Sequence, residues 1–378
     1  MKQNQLENDA RQWIASIIST RQDNFYVPDH FSDQRILQIC VEEGVSSLLR
    51  YHLLQQKNLE QLTQALIQQL KSLDIQNIAT QLARQSELAT LLGLFGKQNL
   101  EPLLLKGEAL AQTLYPSPHM RTRCDTDLFF ADGNSAEKAW NILEKQGYQR
   151  IPTMQGRFSG FQYVSIKQLP SGITMELDIH NQINNYQWFA KRFPFEELFS
   201  ESRLLAYPPD QEKQVKVRIL SPVYQLLHAC VHRVCNKARL IENRLIWLYD
   251  ILLLCRSLSD DDRNKLTHVA HQKQLSGILL EGINATAMTF ATPVGKGLLE
   301  QLAENSANEA GAFNPRGRRI FFYLQDWKET EGITNKLQHL REKLFPPANY
   351  VIQKYQFKNR FMLPFYYLKR FFDLIFRQ

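Results

Sequence analysis

From Thr174 to His180 apolar and polar side chains alternate without a break, with Met175, Leu177 and Ile179 set against Glu176, Asp178 and His180. Only an extended strand, whose successive side chains point to opposite faces, sorts such a run into one apolar and one polar face. The chain must therefore build a sheet with an apolar layer packed on one side. The polar face either borders solvent as an edge strand or lines a site.

Other strands and helices alternate around that run. Beyond Pro102, Leu103 to Leu105 form a short buried strand, Lys106-Gly107 a turn, and Glu108 to Tyr115 a helix stopped by Pro116 and Pro118. A strand follows at Cys124 to Phe130, then a helix from Ser135 to Gln146 ended by Gly147. Further strands are expected at Phe161 to Lys167, Ile173 to His180 and Val215 to Leu220, the first two joined by Pro170-Ser171-Gly172. Before residue 100 the pattern is helical: Trp13, Ile14, Ile17 and Ile18 make one stripe, and leucines repeat on one face from Leu53 to Leu70. The expected fold class is α+β, a small mixed sheet with packed helices, flanked by N- and C-terminal helical regions. The expected segments are an N-terminal helical region at 1–98, an α/β core at 99–220, a C-terminal helical domain at 221–345 and a basic aromatic amphipathic tail at 346–378.

Composition narrows the partners. An excess of Lys and Arg gives the 378 residues a net charge of +7, which favours an anionic partner such as nucleotide, phosphate, nucleic acid or membrane surface. Five cysteines at irregular spacing (Cys40, Cys124, Cys230, Cys235, Cys255) make no secretory disulfide framework and suit a reducing compartment. The first residues carry acidic and amide groups where a signal peptide carries positive charge, and no run reaches the ~18 apolar residues of a membrane span. A cytoplasmic location is expected.

The chemistry gathers in three places. Asp125 and Asp127 flank Thr126 on a strand, which puts both carboxylates on one face about 6 to 7 Å apart at the backbone. Hard oxygen ligands of this kind suit magnesium, which could bridge them, bind a triphosphate and orient in-line displacement at phosphorus. Downstream, Asp178 offers a third carboxylate as metal ligand or general base, with His180 beside it. Upstream, the helix start at Lys106-Gly107 presents backbone N–H groups to phosphate oxygens, and Arg121 and Arg123 either hold phosphate or pair with the aspartates.

The series LLLKGEALAQTLYP, RTRCDTDLFF and ELDIHNQI resembles the nucleotidyltransferase superfamily. More closely it resembles an uncharacterised nucleotidyltransferase family with an LKG-type turn, an Arg shortly before a DxD, and a later acid-x-His. The matching positions are Lys106, Gly107, Arg121, Asp125, Asp127, Asp178 and His180, within a resemblance spanning about residues 90 to 255. Glu108 replaces the Ser that usually follows the turn glycine, placing a negative charge near the phosphates.

The resemblance implies a nucleotidyltransferase-like fold and a magnesium-dependent enzyme that moves a nucleoside monophosphate from a nucleoside triphosphate, such as ATP, to an acceptor hydroxyl with release of pyrophosphate. Two Mg2+ ions are expected at Asp125, Asp127 and Asp178, with Lys106, Gly107, Arg121, Arg123 and His180 holding the nucleotide. The acceptor is expected among small molecules, sugars, peptides or proteins, as in polysaccharide or peptide biosynthesis. Two alternatives stand beside it: a catalytically silent nucleotide-binding or membrane-associated scaffold, and an RNA-modifying nucleotidyltransferase. Nucleic acid is the less favoured partner.

Three further features need an account. His228, His232 and Cys235 share one helix face at zinc-ligand spacing, but in a segment so apolar that buried core residues are the simpler reading. Asp250 lies in the apolar helix IWLYDILLLC, where a carboxylate needs a partner, with Arg244 and Lys237 as candidates. Past Pro364, Phe365, Leu368, Phe372 and Ile375 share a face opposite Arg370, Asp373 and Arg377. That pattern fits a docked terminal helix or peripheral contact with the inner face of a membrane.

Overall fold

The structure, a computed structural model, describes residues 2–19, 26–28, 31–56, 59–154, 156–158, 160–208, 214–237, 243–293, 296–309 and 319–376. They fall into two compact units that interleave along the chain. One comprises Met1–Ser86, Lys106–Cys124 and Ser221–Pro315, the other Glu87–Leu105, Asp125–Leu220 and Arg316–Gln378. The stretch from Lys106 to Cys124, expected inside a continuous α/β segment, thus belongs to the helical unit.

The second unit holds one seven-stranded mixed sheet of order β3-β4-β5-β2-β1-β7-β6. Its strands are β1 (Leu103–Leu105), β2 (Asp125–Phe129), β3 (Gln149–Ile151), β4 (Gln162–Gln168), β5 (Thr174–His180), β6 (Arg203–Tyr207) and β7 (Val215–Ile219). Pairs β2/β5 and β1/β7 are parallel and the other pairs antiparallel. The fold class is therefore α+β, as the alternation of strand and helix patterns required.

Strand β5 is not an edge. It lies between β4 and β2, and its polar face is largely buried, Asp178 at 6% and His180 at 4% exposure. Its apolar face, Met175, Leu177 and Ile179, is fully buried. Each fully buried side chain of this size contributes about 1.5–3 kcal/mol, so a one-residue register slip would forfeit several such contributions at once. The helix Gly133–Lys145 meets β5 and turns Ala136, Ala139, Trp140 and Leu143 inward; Asp132 caps it by accepting from Ser135 N at 2.7 Å.

Two strands had no clear sequence signal. β3 is three residues long and half-polar, while β6 exposes Leu204, so neither shows buried period-two alternation. Both are single-neighbour strands at the two ends of the sheet order.

Later in the same unit, Asp326 of the helix Arg319–Glu329 accepts from Trp188 N and from Lys343 Nζ. The helix Leu363–Phe376 docks by one face: Arg370 donates to the Lys343 carbonyl, Tyr367 to the Pro346 carbonyl, and Tyr366 stacks on Phe357 at 4.1 Å.

The first unit is helical among its described residues. Its core joins Ile14 and Ile18 of the helix Lys2–Ser19, Leu48 of Ser46–Leu53, Leu226 and Leu227 of Pro222–Lys237, Ile251 of Leu245–Ser257 and Leu279 of Ser276–Phe290. His228 and Cys235 are buried, and His232 is hydrogen-bonded to Asn236 and edge-on to Trp247. Among the described residues they form no metal-ligand group, which leaves them as parts of the helical core. No helix of the described residues is long and apolar enough to cross a membrane.

Candidate active site

In the sheet unit, parallel pairing sets Asp125 opposite Glu176, Asp127 opposite Asp178 and Phe129 opposite His180. Paired residues on neighbouring strands share a face, so β2 and β5 together present Asp125, Asp127, Glu176, Asp178 and His180 to one side. Ligand atoms of Asp127, Asp178 and His180 lie within 4.8 Å of one another, and all three residues are buried. Asp125 is half-buried, two residues back on the same face, and is not a member of that group.

The group is held in place from its sides. His180 Nε2 and Asp127 Oδ1 are hydrogen-bonded at 2.8 Å. Gln162, opposite His180 on β4, donates through Nε2 to Asp178 Oδ2 at 2.7 Å, and Asn185 donates to Gln162 Oε1 at 3.1 Å. Backbone bonds from Phe130 N to the His180 carbonyl and from Asn181 N to the Phe161 carbonyl close the strand end. Two ionised carboxylates at such separations repel by roughly 3 kcal/mol or more even at an effective dielectric constant of about 20. Two carboxylates and an imidazole are a donor set that fits a divalent cation: the oxygens suit magnesium, and the imidazole extends the range toward manganese.

In the helical unit the turn and the arginines form a second constellation. Lys106 opens the helix Lys106–Leu114 with φ +49°, a left-handed conformation that costs a residue with a Cβ about 1 kcal/mol or more. A Cβ on Gly107 would meet Arg123 Cδ at 3.4 Å and Arg121 Nη1 at 3.5 Å, so the glycine lets both arginines lie close to the turn.

Each arginine is backed by an acid. Arg121 makes a fork to Asp250, Nε to Oδ1 at 2.8 Å and Nη2 to Oδ2 at 2.7 Å. Tyr115 OH donates to the same Oδ1 at 2.6 Å, and burial with the Asp250 charge pushes that phenol well above its ordinary pKa. The partner of Asp250 is thus Arg121, 129 positions away, rather than Arg244 or Lys237. Arg123 pairs with buried Glu108 and donates to Gln81 Oε1 at 2.7 Å; Gln112 also donates to Glu108. The negative charge introduced by Glu108 at the turn is therefore answered within the unit by Arg123.

The pattern of a family of uncharacterised nucleotidyltransferases matches residues 29–291. The chain belongs to this family. The match runs further on both sides than residues 90 to 255, and it takes in both constellations while leaving out the tail. No curated protein matches. Among solved structures, an antigenic nucleotidyltransferase-like protein from Paracoccidioides brasiliensis is similar at 15% identity over 52% of this chain and 92% of that chain, with a TM-score of 0.34.

Sequence reasoning missed Gln162 and Asn185. Gln162 could have been found by pairing the β4 and β5 candidates antiparallel, which sets it opposite His180. Asn185 lies beyond the strand, where no periodicity applies.

Proposed function

We propose that the protein is a divalent-metal-dependent nucleotidyltransferase that moves a nucleoside monophosphate from a nucleoside triphosphate to an acceptor hydroxyl, releasing pyrophosphate. The observation that carries this reading is the buried Asp127, Asp178 and His180 group on neighbouring parallel strands, in a chain of this family. Asp127 and Asp178 would hold the cation, with His180 in reach and Asp125 two residues back on the same face. The cation supplies charge neutralisation and orientation of the phosphate oxygens.

The chain's own residues supply the rest. His180 holds Asp127 in one rotamer and Gln162 holds Asp178 through Oδ2, and Asp178 would act as cation ligand or as the base that takes the proton of the acceptor hydroxyl. Burial of the group excludes bulk water, which strengthens each electrostatic contact there. Transfer of label from an α-labelled triphosphate in cell extract, with Mg2+ or Mn2+, tests the assignment. Full transfer by an Asp127→Asn, Asp178→Asn double variant would sink it.

We infer in addition a peripheral contact of the tail with an anionic membrane surface, as a lipid-linked acceptor would require. Its support is the orientation of Leu363–Phe376: the docked face carries Tyr367 and Arg370, while Phe365, Leu368 and Phe372 form an exposed stripe at i, i+3 and i+7, with exposed Phe361 just before the helix. Exposed Lys354, Lys358, Arg360 and Lys369 border it, a pairing of apolar and basic groups that suits a negatively charged bilayer. Co-sedimentation with phosphatidylserine vesicles but not phosphatidylcholine vesicles, lost on Phe365→Glu, is expected; equal sedimentation of the variant contradicts it.

A further inference from the structure

The helix Ile333–Leu344 of the sheet unit faces the wrong way for a helix that stabilises a core. An amphipathic helix ordinarily buries its apolar stripe and offers its polar residues to solvent. Here Ile333, Leu337 and Leu340, at i, i+4 and i+7, are 69%, 57% and 43% exposed, and Phe345, just past the helix, is exposed as well. On the other side His339 is buried, with Glu342 and Lys343 half-buried.

Polar contacts hold that inner side. Glu342 accepts from the backbone N–H of Arg157 at 2.9 Å and of Phe158 at 2.8 Å, Lys343 Nζ donates to Asp326 Oδ2 at 3.2 Å, and His339 Nδ1 is hydrogen-bonded to Thr330 Oγ1 at 3.0 Å. The His339 ring also stacks on Phe158, with centroids 5.7 Å apart. Rolling the leucines inward would break these contacts and leave buried Asp326 without its ammonium partner. The apolar stripe is therefore a fixed outward surface.

Charge says what such a stripe would meet. At about 3.6 residues per turn, Lys336 stands on one flank of the stripe and Arg341 on the other. The helix's single acid, Glu342, is turned to the segment 156–158, and exposed Glu331 precedes the helix. A second copy packed stripe to stripe would set cations against cations, and nucleic acid offers nothing to match the leucines. An apolar ridge edged by cations matches the boundary between acyl chains and anionic headgroups.

We propose that the helix Ile333–Leu344 is a membrane-docking element in its own right, lying in the plane of an anionic bilayer with Ile333, Leu337, Leu340 and Phe345 inserted and Lys336 and Arg341 at the headgroups. It shares its partner with the tail but rests on a different helix, and it does not depend on the transferase reading. Two weak contacts with one surface hold far more tightly than either alone, so loss of either releases the chain.

Vesicles of equimolar phosphatidylserine and phosphatidylcholine test this on the full chain. An environment-sensitive fluorophore on Leu340→Cys, in a Cys124→Ser background that removes the exposed native thiol, is expected to brighten and shift to the blue, while the same label on Gln338→Cys, off the stripe, changes little. Vesicle affinity should drop about tenfold or more in Leu337→Glu and persist in Leu337→Phe, with thermal unfolding level in both because the position is exposed. A silent Leu340 label, or Leu337→Glu sedimenting like the parent, overturns the proposal; release of Phe365→Glu in that case leaves the tail as the contact. Release of Leu337→Glu with Phe365→Glu retained removes the tail contact and keeps the helix. An equal response to phosphatidylcholine alone overturns the match to anionic headgroups and with it the proposal. A concentration-dependent dimer in vesicle-free solution, abolished by Leu337→Glu, gives the face to a second copy and overturns it likewise.

Discussion

Asp127 and Asp250 are both aspartates almost without solvent contact, at 2% and 4% exposure, yet the two units treat them in opposite ways. Asp250 meets a guanidinium fork and a phenol hydroxyl, which is how a fold stabilises a buried charge for its own sake. Asp127 is packed against a second carboxylate and an imidazole, an arrangement that costs stability unless a cation joins it. A charge matched by its own chain is architecture. A charge set beside its like is, on the proposed reading, one that an arriving cation would join, and that difference, more than burial, separates the sheet's acidic face from the helical unit's ion pairs.

Substitution by Asn sharpens the contrast. Asp127→Asn is expected to lower metal-dependent transfer on the order of 10³-fold while leaving thermal unfolding unchanged or slightly later, since it removes repulsion. A variant that unfolds several degrees earlier with activity retained would erase the distinction. Asp250→Asn should do the reverse, costing about 3–5 kcal/mol in denaturant unfolding because Arg121 loses its buried counter-charge. If stability instead stayed level, the Arg121 fork would have to be reassigned to ligand binding.

Smaller effects follow at the turn. Lys106→Gly relieves a left-handed backbone and should stabilise the unit by up to about 1 kcal/mol, measured by urea midpoint, even as it removes a cation from the turn. The smallest effect is the pH response of His119. Burial, with Arg50 adding to it, holds this imidazole below its ordinary value against the pull of Asp74. The unfolded chain therefore takes up the proton first as pH falls, so the contribution is complete above about pH 6.5 and is lost on acidification. His119→Gln should flatten the fall of the unfolding midpoint between pH 7 and pH 5, and a slope identical to the parent would contradict the sign.

Much of this was legible before any coordinates. The buried run at Leu103 to Leu105, the DxD strand and the alternation ending at His180 each carry a local period, and each forms the strand it specified. That Asp178 and His180 share a face was readable because period two fixes it, and the pairing of β5 with β2 brings both beside Asp127. The pairing of Asp250 with Arg121 was not, because nothing local in either segment encodes a contact across 129 positions. The ends of the sheet, β3 and β6, escaped for another reason, since strands with a single neighbour and an exposed face need no apolar alternation.

The parallel register of β2 and β5 reaches beyond the site it builds. Two parallel strands cannot be joined by a tight hairpin, and here the connection between Asp127 and Asp178 runs through a helix and two further strands. On the proposed metal reading, cation affinity would emerge only when that whole excursion has closed, late in assembly. Metal uptake would then serve as a readout of maturation: a nascent chain, or any fragment ending before β5, holds only Asp127 of the three grouped residues, and an ion that bound the finished sheet would stabilise it by mass action.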